Sequence, residues 1–65
     1  MSAPSQRQVE MLRAYLLTGS HKDAAARLGV SPQSLKNGLH LLYAGLGVGN
    51  HIEAAAALGW MRVPA

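Results

Sequence analysis

The sequence predicts an all-α protein of four short helices, and three observations lead there. Eleven Ala and ten Leu stand against four Val, one Ile and no Phe. Ala and Leu lose little entropy in a helix, whereas the β-branched residues that favour strands are scarce. Apolar residues recur at intervals of three and four, the spacing of one helical face. Gly and Pro cut the chain into four such segments, each opening on a Ser or Asn able to cap a helix.

The first segment covers about residues 5–18. Pro4 suits a first helical turn, with Ser2 or Ser5 as the cap. Val9, Leu12 and Leu16 follow at helical spacing, Met11, Ala14 and Tyr15 widen the stripe, and Gly19 stops it. Ser20 caps a second, brief helix over about 21–28, with Asp23 three residues on as a weak capping box. Ala24, Ala25 and Leu28 form its inner stripe. Small side chains there let a neighbouring helix approach closely.

Ser31 caps the third helix, about 32–45, and Pro32 takes the first position, where its missing N–H costs nothing. Leu35, Leu39, Leu42 and Leu46 fall at i, i+4, i+7 and i+11, a continuous apolar ridge. Gln33, Lys36, Asn37 and His40 occupy another face. Gly38 and Gly45 each weaken the helix by up to ~1 kcal/mol relative to Ala. After Gly47-Val48-Gly49, Asn50 and Glu53 make a further capping box for a fourth helix over about 51–58. Ile52, Ala55, Ala56 and Leu58 are its apolar members, and Trp60 is expected as a lid over the first and fourth helices.

Sixty-five residues and 6.9 kDa allow one domain. Such a chain buries only ~60% of the surface its unfolded form exposes, so association would help it. Absence of Cys excludes disulfides, zinc fingers and a thiol nucleophile. No apolar run approaches the ~20 residues of a membrane span. Residues 1–6 lack the basic start and apolar stretch of a leader, so a cytoplasmic protein is expected. So small a core leaves little room for a water-excluding cleft, and no enzyme is expected. His21, His40 and His51 are spaced like no metal-ligand set, so neither metal nor cofactor is expected. Six Lys and Arg against three Asp and Glu give +3 and a pI near 10.0, which favours an anionic partner.

Only Gly29-Val30-Ser31 separates the second helix from the third. A short helix, a turn with Gly and a longer polar-faced helix form the helix-turn-helix pattern, whose second helix enters the major groove of DNA.

Specific residues extend that pattern. Arg7, Glu10, Met11 and Leu12, then Ser20-His21-Lys22-Asp23-Ala24-Ala25, then Leu28-Gly29-Val30-Ser31 precede Ser34-Leu35-Lys36, Leu39, Tyr43, Leu46, Gly47 and Val48. Together they resemble, without a gap, the LuxR/GerE-type helix-turn-helix domain related to the promoter-reading region of sigma factors. Gly38 stands where that family carries a phosphate-contacting His, and Gly45 where Lys is common. The resemblance implies a free-standing transcriptional regulator of a bacterium or its phage, acting on double-stranded DNA. In that family the fourth helix builds the dimer, which here points to Ile52, Ala55, Ala56, Trp60 and Met61 as a homodimer surface.

The candidate contacts follow from side-chain chemistry. Lys36 suits guanine O6/N7 or a phosphate, and Asn37 can pair with adenine N6/N7. His40, one turn further, suits a base edge or phosphate. Gln33 and Ser34 stand at the helix start, where N–H groups and the dipole favour anions. By the resemblance, Lys22 and Ser20 clamp the DNA backbone, which orients without reading sequence. Arg7, Arg13, Arg27 and Arg62 are expected as general surface charge. The competing expectation is a helix-turn-helix-derived interaction module that binds RNA polymerase or another regulator instead of DNA.

Overall fold

A computed structural model of the chain describes residues 5–60. They form four helices and no strand: α1 (Gln6–Thr18), α2 (His21–Leu28), α3 (Pro32–Leu46) and α4 (His51–Ala57). Every boundary falls within one residue of the expected span. Pro4, Met61 and Arg62, on which expectations also rested, lie outside the described residues.

The boundaries are set locally. The side-chain oxygens of Ser5, Ser20 and Ser31 accept the N–H of Gln8, Asp23 and Ser34, each at 3.1 Å. Asn50 Oδ1 accepts that of Glu53 at 2.9 Å. Each bond satisfies one of the amide donors that a helix start leaves unpaired. Glu53 reaches back, its Oε2 accepting from Asn50 Nδ2 at 2.9 Å and its Oε1 from the Gly49 N–H at 3.4 Å. The box therefore closes on the cap's side chain and the residue before it.

Packing follows the division between Leu and Ala. Leu12 of α1 and Leu35, Leu39 and Leu42 of α3 are the large side chains wholly removed from solvent. α2 and α4 add only alanines, Ala24, Ala25, Ala54 and Ala55, to the buried centre. Both short helices pack on α1 and α3 without meeting each other. Between α2 and α3, Gly29 adopts φ +71°, a conformation a Cβ resists. The Val30 N–H then closes on the Ala25 carbonyl at 3.0 Å, and the Val30 side chain packs against the core. The helix-turn-helix is thus fixed by one left-handed residue and one apolar plug.

Where α1 crosses α3, Gly38 lies under Met11, and a Cβ at position 38 would overlap the Met11 sulfur. Gly38 is therefore a packing residue of α3, beyond the helix-weakening effect read from the sequence.

Candidate nucleic-acid interface

α3 has two unlike sides. Leu35, Leu39 and Leu42 are buried, while Gln33, Ser34, Lys36, Asn37 and His40 are exposed. The buried ridge anchors the rod, so the polar groups are held on a fixed support rather than on a loop. Lys22, near the start of α2, is exposed, and Ser20 is half-buried with its hydroxyl engaged as the α2 cap.

Polar groups along α3 are ordered among themselves. Ser31 Oγ accepts the Ser34 N–H and donates to Ser34 Oγ at 3.0 Å, so the Ser34 hydroxyl belongs to the capping network. Gln33 Nε2 donates to Asn37 Oδ1 at 3.1 Å across one turn. The His40 ring lies 6.4 Å from that of Tyr43, tilted at 46°. Burial holds the Tyr43 hydroxyl above its ordinary pKa of 10.0, and the neighbouring Tyr15 adds to the shift. Tyr43 is neutral at physiological pH and acts as a packing group with a polar tip.

The other two histidines belong to a different structure. His21 stacks on the Tyr15 ring at 4.5 Å, and His51 meets the same ring edge-on at 5.1 Å. Among the described residues, no group of three His, Cys, Asp or Glu is placed to hold a metal ion. A surface hollow of about 440 Å³ is open and lined by Arg13, Leu16, Leu17 and Trp60, none of them an acid or nucleophile. There the Arg13 guanidinium lies 5.2 Å from the Trp60 ring centroid, a cation–π contact that gives this arginine a packing role. Trp60 itself is half-buried against the core.

Of the expected dimer residues, Ile52 is 51% exposed, and Ala56 and Trp60 are half-buried. Ala55 is a correction. It is 0% exposed within the single chain, because the inward face of α4 is Ala54 and Ala55, and it has no surface to offer a second copy. Sequence reasoning also passed over Leu41 and Leu17, which are 63% and 66% exposed. Leu41 falls between the positions of the Leu35–Leu39–Leu42 ridge, and that phase was a readable signal of its exposure.

No protein-family profile, curated protein or solved structure matches the chain. Among the described residues, no helix is long and apolar enough to cross a membrane.

Proposed function

We propose that this chain is a sequence-specific double-stranded DNA-binding protein of the LuxR/GerE type, reading the major groove with α3. One observation carries the reading: a helix anchored by three buried leucines presents Gln33, Lys36, Asn37 and His40 together to solvent. Such a surface meets the requirement of direct readout, in which rigidly placed amide and cationic groups match base-edge donors and acceptors. Lys22 and the N-terminal turn of α3 supply phosphate contacts that set the register. The proposed role is regulation of transcription in the cytoplasm of a bacterium or a phage-infected cell, with no chemical step and no cofactor. A homodimer would form through Ile52, Ala56 and Trp60 of the α4 region.

Titration with random-sequence duplex at low and moderate salt, followed by selection from a random pool, tests this. Weak binding that falls steeply with salt is expected, and Lys22→Ala reduces the salt slope by about one. Lys36→Ala and Asn37→Ala each cost ~1–3 kcal/mol on the selected site. Unchanged affinity of Lys36→Ala for that site overturns the assignment of α3.

A second reading, an interaction module for RNA polymerase or another regulator, is favoured by the exposure of Leu17, Leu41 and Ile52. Absence of duplex binding even at low salt would select it.

A further inference from the structure

We infer that Gln33 and Asn37 read two neighbouring base pairs as one coupled unit, with Gln33 deciding which way the Asn37 amide faces. The inference rests on the DNA-reading proposal and adds the donor and acceptor pattern that the site must display.

It starts from the bond between the two amides, Gln33 Nε2 to Asn37 Oδ1 at 3.1 Å. A primary amide has one oxygen with two lone pairs and one nitrogen with two hydrogens. The bond occupies one hydrogen of Gln33 and one lone pair of Asn37. Because the Asn37 oxygen is turned to Gln33, its nitrogen is the group free to meet a base, and it can only donate. Gln33, donating through nitrogen, offers its oxygen, which can only accept. Gln33 keeps one hydrogen and Asn37 one lone pair beyond this bond, so the pair is weighted rather than fixed, with the whole free oxygen at position 33 and the whole free nitrogen at position 37, one helical turn apart on the exposed side of α3.

Base edges in the major groove answer that pattern. An acceptor on the protein fits adenine N6 or cytosine N4, and a donor fits guanine O6 and N7, adenine N7 or thymine O4. A free asparagine turns its amide to suit either kind of edge. Asn37 tied to Gln33 has that choice narrowed towards donation, so its preference is biased by a neighbour that does not touch the same base.

Selection from a random duplex pool, run with wild type, Gln33→Ala and Gln33→Glu, tests the coupling. Wild type should enrich a motif with adjacent donor and acceptor steps. Gln33→Ala should relax preference at both steps, by roughly tenfold at its own. Gln33→Glu is more telling, since a carboxylate cannot donate to Asn37 Oδ1. The Asn37 amide would then turn to donate to the carboxylate, and its step should lose guanine and thymine in favour of cytosine, whose N4 only donates. In the free protein, Gln33→Ala should also move the Asn37 side-chain amide signals in a proton–nitrogen correlation spectrum. If wild type enriches a motif, but Gln33→Ala relaxes a single base pair and Gln33→Glu leaves the Asn37 step unchanged, the coupling is wrong and DNA reading stands. If wild type enriches no motif, both proposals fall.

Discussion

Gly38 carries two opposed effects. As a glycine inside a helix it costs α3 up to ~1 kcal/mol relative to Ala. As the crossing point it lets the Met11 sulfur sit where a methyl group would otherwise be. The group that an added Cβ meets is the far end of the flexible Met11 side chain, which can swing aside cheaply, so Gly38→Ala should gain less than the ~1 kcal/mol that helix propensity alone would give. With Met11→Ala the overlap disappears, and the same substitution should show the full propensity gain. Urea unfolding of the two single variants and the double should therefore give a coupling of about 0.5–1 kcal/mol, while simple additivity would show that the two residues do not press on each other. At Gly45 nothing lies within 4 Å of an added Cβ, so Gly45→Ala should stabilise by up to ~1 kcal/mol. Both glycines read alike in the sequence. What separates them is a contact with a residue twenty-seven positions earlier, which local spacing does not encode.

At the scale of elements, the helix ends were legible because caps act over three residues. Ser20, Ser31 and Asn50 each bond to the N–H expected of them. The inward face of α4 was less legible. Ala54 to Ala57 are four identical side chains in a row and carry no phase, so Ala54 was overlooked and Ala55 was assigned to a surface it does not reach. The polar side of α3 could be read because leucines mark the opposite side, yet its internal bond from Gln33 to Asn37 could not. A helix of only seven residues depends heavily on its start. Asn50→Ala should cost about 1 kcal/mol globally. It should also raise amide exchange across α4 more than across α1, and equal effects in both helices would argue against a local capping role.

At the scale of the molecule, four helices surround a core in which, among the described residues, the large wholly buried side chains are four leucines, so partly buried rings close much of its edge. Tyr43 is one of them, and its hydroxyl gives the fold a pH limit. Burial raises the Tyr43 pKa above 10.0, so the folded chain holds this proton more tightly than the unfolded chain does. The resulting stability is fully present below 10.0 and is lost as pH rises through the folded value. The urea midpoint should fall on that alkaline limb, and Tyr43→Phe should remove part of the fall. An identical alkaline decline in Tyr43→Phe would assign the loss to other groups.

Tyr15 has a role that its half-burial does not suggest. His21 and His51, the first residues of α2 and α4, both rest on its ring, although the two helices never touch. Their opening fluctuations are thereby tied to a single side chain, so the two should exchange amide protons as one cooperative unit rather than fray independently. Replacing Tyr15 by Leu, which keeps bulk but removes the flat faces, should split that unit in two.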